Sequence, residues 1–230
     1  MRIKIPVPPV VRAGWARVTS RPDLRVTNTL IFPECKVAYI PVPKAACTSI
    51  KTALLPLVGE EARDDFLVHL TDKFDIRPFS ECRPLLSPEW FVFTVVRHPI
   101  DRALSAWRNK CDPAGPGLTG RMHKMGFRPG DDLDAFTKTL SRWPAQAMDE
   151  HVMPQSDLLD GIDRWPVQVF KFETLKDDWP AIVREIRRRG GQISDDLPMR
   201  NVSSQRVGDS RQAMERLNRI YRDDFARYSY

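Results

Sequence analysis

The stretch VAYIPVPKAACTSIKTALLPLV, Val37 to Val58, sets a lysine, three small residues, a threonine and a serine between a short apolar run and an amphipathic one. Residue types in that order can hold an anion. Ala45, Ala46 and Cys47 are small, so the backbone can approach a phosphate closely. Thr48 and Ser49 offer hydroxyl donors, the first N–H groups of a following helix face the ligand, and Lys44 adds a full charge. Lys44 stands ahead of the turn and does not open the helix. The chain has no G-x-x-x-x-G-K-[ST] run, so this is not the common phosphate loop. The plainer reading is a basic residue followed by a helix capped by Thr48.

A second stretch of the same kind is VVRHPIDRALSAW, Val95 to Trp107. Arg97 directly follows an apolar run, and its planar fork matches phosphate oxygens. Ser105, eight residues on, shares that anion if the helix folds back over the strand end. The plainer alternative pairs Arg97 with Asp101 and leaves Ser105 packed. Two loops that follow strands of one sheet put two anion sites at one edge, where open α/β sheets bind ligands. A nucleoside with a phosphate at each end suits that pair better than ATP does.

The elements that must carry these loops can be read from pattern. Val37–Val42 and Trp90–Val96 are apolar runs of strand length, the second apolar on both faces like a covered parallel strand. Val167–Glu173 is a third strand. Helices are expected over 48–57, over PIDRALSAWRNK with Pro99 in the first turn, and over DDLDAFTKTL. Another is expected over DDWPAIVREIRRRGG, where acidic residues lead, Arg187–Arg189 trail and Gly190 ends it. Met214, Leu217, Tyr221 and Tyr228 suggest one C-terminal helix. The Gly/Pro-rich and basic stretch Cys111–Gly130 reads as loop. Strands alternating with helices predict an α/β fold with a parallel sheet, organised as a Pro-rich lead-in over 1–33 and a single domain over 34–230.

The chain has 230 residues, 42% of them hydrophobic, which supports a sizeable core and excludes global disorder. Its formal charge of +6 favours an anionic partner or simply solubility. Cys35, Cys47, Cys82 and Cys111 form no C-x-x-C pair, so zinc ribbons and redox motifs find no support, and reduced thiols in a cytoplasmic protein are expected. No run of about 18 apolar residues is present, so any membrane association would be peripheral.

IPVPKAACTSIK followed by FTVVRHPIDRALSAWRNK resembles the two cofactor motifs of sulfotransferases that use 3′-phosphoadenosine 5′-phosphosulfate (PAPS). The similarity is to the carbohydrate branch, of the chondroitin 4-sulfotransferase and HNK-1 sulfotransferase type with bacterial relatives. It continues through DEHVMPQSDLL, VFKFETLKDDW, LPMRNVSSQR and RIYRDDFARYSY, and so covers most of the chain from Val37. The resemblance implies a P-loop-NTPase-like three-layer fold, a central parallel sheet flanked by helices. It implies that Lys44, Ala45, Ala46, Cys47, Thr48 and Ser49 hold the 5′-phosphosulfate, with Lys44 on the group in flight. It implies that Arg97 and Ser105 hold the 3′-phosphate. The acceptor would be a hydroxyl, of a glycan by the branch resembled. No metal is required by such a scheme, and no specific nucleic acid is expected as partner. Many relatives have two glycines where this chain has Ala45 and Ala46, and only a modest effect is expected from that. His98 stands where acidic or amide residues are frequent.

An acceptor hydroxyl must lose its proton, so a base is required near the sulfur. His69 lies where a related uronosyl sulfotransferase carries its catalytic histidine. His151 lies in DEHVMPQ, resembling a family segment D-x-H-x-x-P-Q. Both remain candidates, His69 being preferred from the uronosyl enzyme's arrangement, and either can equally be a structural histidine. Asp149, Glu150 and Glu34 are further candidates for the base; His98 and His123 are not favoured. The resemblance implies that NVSSQR, Asn201–Arg206, closes over the cofactor, the alternative being an ordinary loop and helix cap. Arg121, Lys124 and Arg128 could receive an anionic glycan, though a solvated charged loop is the more common reading. The reading from another class is a catalytically inactive basic protein that grips nucleic acid or polyanions. A kinase is disfavoured by the missing phosphate loop.

Overall fold

The computed structural model describes residues 28–61, 73–82, 87–198 and 210–230. In chain order its elements are β1 (Asn28–Phe32), β2 (Val37–Ile40), α1 (Cys47–Leu54), β3 (Asp75–Pro78), α2 (Phe79–Cys82), β4 (Phe91–Val96), α3 (Pro99–Cys111), α4 (Gly120–Met125), α5 (Leu133–Leu140), α6 (Gln155–Leu158), β5 (Val167–Lys171), α7 (Leu175–Arg188), α8 (Arg211–Ile220) and α9 (Arg222–Tyr228). Among the described residues, two compact units emerge. Residues 28–98 and 159–198 form a sheet unit, and 99–158 with 210–230 form a helical unit.

The sheet runs in the order β3-β1-β2-β4-β5. β2, β4 and β5 are parallel, as the alternation of strands and helices requires. β1 is antiparallel to both β2 and β3, so the sheet is mixed and not purely parallel. The reason lies in the link from Phe32 to Val37. It is a single 3-10 turn closed by Lys36 at φ 50, too short to cross over, and so it can join only antiparallel neighbours. β1 also lies inside the stretch read as a lead-in; residues 1–27 of that stretch are outside the described residues.

One face of the sheet makes the core of this unit. Leu30, Phe32, Val37, Tyr39, Phe91, Phe93 and Val95 pack with Ile50, Ala53 and Leu54 of α1 and with Leu175, Trp179, Ile182, Val183 and Ile186 of α7. The α7 residues recur every three or four positions and so form one stripe. Each such side chain fully buried contributes about 1.5–3 kcal/mol of transfer free energy. The alternate residues Ile31, Ala38, Ile40, Val92, Thr94 and Val96 are equally buried.

In the helical unit the stretch 111–130, expected to be loop, contains α4. Thr119 caps it by accepting from Met122 N at 3.0 Å, Gly126 ends it at φ 99, and Met122 and Met125 are buried one turn apart. The single C-terminal helix expected from its apolar face is broken at Tyr221, where φ −102 and ψ 18 leave the helical range, giving α8 and α9. No helix among the described residues is long and apolar enough to cross a membrane.

Candidate active site

In the sheet unit β2 and β4 end side by side. Ile40 is in register with Thr94, whose Oγ1 donates to Ile40 O at 2.7 Å. The loops that leave these two ends carry Lys44 and Arg97. Lys44 has φ 70 and Ala46 φ 60, while Ala45 between them is not in the positive range. Such alternation is the backbone pattern of anion-binding nests. Residues with a β-carbon pay roughly 1–2 kcal/mol each to enter the left-handed region, and strain of this kind collects at ligand clamps. Ala45 N–H donates to Val42 O at 3.2 Å, and Ile50 N–H donates to Ala46 O at 3.0 Å as the first helical bond. α1 opens at Cys47 with no capping side chain. Thr48 therefore stands inside the helix and does not cap it, which removes the plainer account of this sequence. Ser49 is buried, and Lys44, Cys47 and Thr48 are half-buried.

Arg97 spans the two loops. Its Nη1 donates to Lys44 O at 3.2 Å, and its guanidinium lies 4.3 Å from the centroid of the Phe172 ring. A planar cation on an aromatic face is worth about 0.5–2 kcal/mol and fixes the plane of the fork. The next residue is also held, because His98 N–H donates to Glu173 Oε1 at 2.7 Å. Phe172 and Glu173 follow β5, so all three parallel strands contribute to one set of loops. Phe172 was not singled out by sequence, although VFKF places Phe170 and Phe172 on one face.

Ser105 lies at the end of the second turn of α3 in the helical unit and is half-buried. The same unit holds His151. Asp149 Oδ1 accepts from both the main-chain N–H of His151 at 3.0 Å and its ring Nδ1 at 2.8 Å, and Asp149 Oδ2 accepts from Thr119 Oγ1 at 2.6 Å. Asp149 is 4% exposed. Burial pushes its carboxyl up, yet the hydrogen bonds from the His151 ring, Thr119 and the His151 N–H outweigh that and hold it at about 2. A carboxylate so engaged is no proton acceptor, which removes Asp149 from the candidate bases.

The segment around His151 is clamped by side chains from elsewhere in the unit. Arg102, 1% exposed, donates to Met153 O at 2.7 Å and to Glu150 O at 2.8 Å. Tyr221 donates its hydroxyl hydrogen to Val152 O at 2.7 Å. Asp224, fully buried, accepts from the main-chain N–H groups of Gln155 at 2.8 Å and Ser156 at 2.7 Å, capping α6 from a distant helix. Arg227 donates to Ser156 O and Tyr228 to Gln155 O. Buried polar groups cost stability unless satisfied, so placing this many around one short segment fixes it closely.

The other sequence candidates fall as follows. His69 and Asn201–Arg206 lie outside the described residues. Glu34, Glu150, His123, Arg121, Lys124 and Arg128 are exposed. All four cysteines are free, and burial pushes the Cys111 thiol up to about 12, which makes it unreactive.

A strained strand-to-helix loop with no capping side chain, and an arginine held against it from the next parallel strand, has the form of an anion-binding loop at the edge of an α/β sheet. The chain belongs to the Sulfotransferase family, whose model matches residues 27–230. It is similar to carbohydrate sulfotransferase 14 of Danio rerio, 32% identical over 159 residues, which are 61% of this chain and 43% of that protein. The proteins of that name from Mus musculus and Homo sapiens are 27% and 26% identical over 163 residues, 64% of this chain. The chain spans about 43% of the length of each of these relatives. No solved structure matches.

Proposed function

We propose that this chain transfers a sulfuryl group from PAPS to a hydroxyl of a carbohydrate. The observation that carries the reading is the junction of two anion loops: Arg97, stacked on Phe172, donates to the carbonyl of Lys44 in the nest that opens α1. In this reading the loop Lys44–Ser49 holds the 5′-phosphosulfate, and Arg97 with Ser105 holds the 3′-phosphate. The acceptor oxygen bonds to sulfur, the bond from sulfur to the 5′-phosphate oxygen breaks, and adenosine 3′,5′-bisphosphate leaves. Lys44 stabilises the charge that grows on that leaving oxygen, an interaction strongest in the transition state.

The acceptor proton goes to a histidine. We assign it to Nε2 of His151, on the strength of the clamp around its segment and the carboxylate on its Nδ1. His69 is the alternative. The name carbohydrate sulfotransferase 14 supports a sugar as acceptor.

The test has two parts. Calorimetry with adenosine 3′,5′-bisphosphate should show binding that is weakened in Arg97→Ala; binding of duplex DNA in its place, weakening steeply with salt, would overturn the reading. Transfer of labelled sulfate from PAPS is then measured on a panel of unsulfated polysaccharides, chondroitin included. In single turnover, His151→Ala should slow transfer on the order of 10²–10⁴-fold with PAPS binding intact. A loss of that size in His69→Ala alone would move the base to His69.

A further inference from the structure

Asp149 gives its two carboxylate oxygens different work. Oδ1 receives both hydrogens that His151 can present on one side, the main-chain N–H and the ring Nδ1–H. Oδ2 receives the hydroxyl of Thr119. An ionised carboxylate only accepts hydrogen bonds, so the ring nitrogen facing it must carry the hydrogen. In the neutral imidazole the other nitrogen, Nε2, then has no hydrogen and keeps its lone pair for a proton. Thr119 in turn cannot rotate freely. Its oxygen accepts from Met122 N–H at 3.0 Å as the cap of α4, which leaves its hydrogen directed to Asp149. The chain of bonds therefore runs from the first turn of α4 through Thr119 and Asp149 to the His151 ring.

Among the described residues, two arginines near this chain donate to backbone. Arg121 donates to Met148 O at 3.2 Å and Arg102 to Glu150 O and Met153 O, while the Glu150 side chain is exposed. Asp149 is the group set directly on the ring. The His151 side chain is 21% exposed against 6% for Asp149, so the ring meets solvent while its partner does not.

We infer that Asp149 and Thr119 are positioning residues for the sulfuryl-transfer step, holding His151 as the Nδ1–H tautomer with Nε2 open to the acceptor hydroxyl. The inference rests on the functional reading above for its chemistry, but its structural half can be tested without any turnover.

The first measurement is nitrogen-15 NMR of the full chain labelled at histidine, with the His151 signals assigned by their loss in His151→Ala. Neutral His151 should show a protonated Nδ1 and a bare Nε2. In Asp149→Asn, whose amide can donate as well as accept, that pattern should become mixed or reversed. A wild-type ring protonated at Nε2 overturns the inference whatever the enzyme does. The second measurement is single-turnover transfer from PAPS to the polysaccharide the wild type sulfates. Asp149→Asn should slow it about 10- to 10⁴-fold with unchanged PAPS affinity. Thr119→Val should give a smaller loss and Thr119→Ser should restore the rate. Asp149→Asn added to His151→Ala should cost nothing further. A full additional loss in that double variant, or a Thr119→Ser as slow as Thr119→Val, assigns Asp149 and Thr119 to folding alone. If the wild type sulfates no acceptor, the functional reading fails, and the NMR pattern still decides whether Asp149 sets the ring.

Discussion

The guanidinium of Arg97 donates to the main-chain carbonyl of Lys44, joining two loops that lie 53 residues apart in sequence. The side chain offered for the 3′-phosphate thus also braces the loop offered for the 5′-phosphosulfate. Its replacement should be felt at both ends of the nucleotide, unequally.

Arg97→Ala should weaken adenosine 3′,5′-bisphosphate by about 1.5–3 kcal/mol, the range for charged hydrogen bonds. Adenosine 5′-phosphosulfate, which has no 3′-phosphate, should lose less, the residue of that loss reporting the brace on Lys44. Calorimetry of the two ligands separates these; identical losses would make Arg97 a brace only.

Lys44→Ala keeps a β-carbon at φ 70, so the backbone strain of the loop is unchanged. We expect kcat to fall far more than the affinity for adenosine 3′,5′-bisphosphate, because charge on the departing oxygen appears only in the transition state. Near-normal turnover with a raised KM would reduce Lys44 to an anchor.

The two alanines of the loop should respond oppositely to glycine. Ala46 sits at φ 60 and Ala46→Gly relieves left-handed strain, offset in part by a freer unfolded chain; stability should hold or rise by up to about 1 kcal/mol. Ala45, fully buried and outside the positive-φ range, should lose roughly 0.5–1 kcal/mol on Ala45→Gly. Denaturant unfolding of both variants checks the sign.

Asp149 gives stability a defined acid limb. Its carboxyl is held at about 2, below the usual value near 4 for an unfolded aspartate, so its contribution is complete above about pH 4 and is lost as pH falls toward 2. The full loss is on the order of 2 kcal/mol. Unfolding followed from pH 5 to pH 2 should show this slope in the wild type and lack it in Asp149→Asn.

Tyr221→Phe removes the hydroxyl that satisfies Val152 O inside the helical unit. A buried carbonyl left unpaired costs about 1–3 kcal/mol. Thermal unfolding should register that loss, and hydrogen exchange should place the loosening at residues 150–156.

What the sequence disclosed follows a physical line. β2 and β4 were legible because continuous apolar runs of strand length admit few other readings, and the loops after them because lysine, small residues and hydroxyls cluster there for a reason of charge. The conformation of the loop was not legible. Alanine gives no sign of a positive φ, so the departure from glycine looked mild where Ala46 in fact carries strain. β1 was hidden because its pairing is set by a tight turn at Pro33–Lys36 and not by its own pattern. The work of Asp149 was hidden behind its chemistry: a carboxylate beside a histidine reads as a second base until its hydrogen bonds are known. A clue was present, since a carboxylate two positions before a histidine can reach both its main-chain N–H and its ring. Asp224 and Arg102 look like surface charges in a helical pattern, and only burial distinguishes them.

The clamp on the His151 segment also imposes an order of events. Tyr221, Asp224, Arg227 and Tyr228 grip residues that precede them by 68 to 73 positions. During synthesis the segment therefore leaves the ribosome well before the side chains that secure it, and at about 5–20 residues per second it waits several seconds for them. The strand-to-helix loop at Lys44 is braced sooner, once Arg97 has emerged. Phe172, on which Arg97 stacks, likewise emerges before the residues that close the clamp. That interval leaves the His151 segment as the last part of the helical unit to be secured.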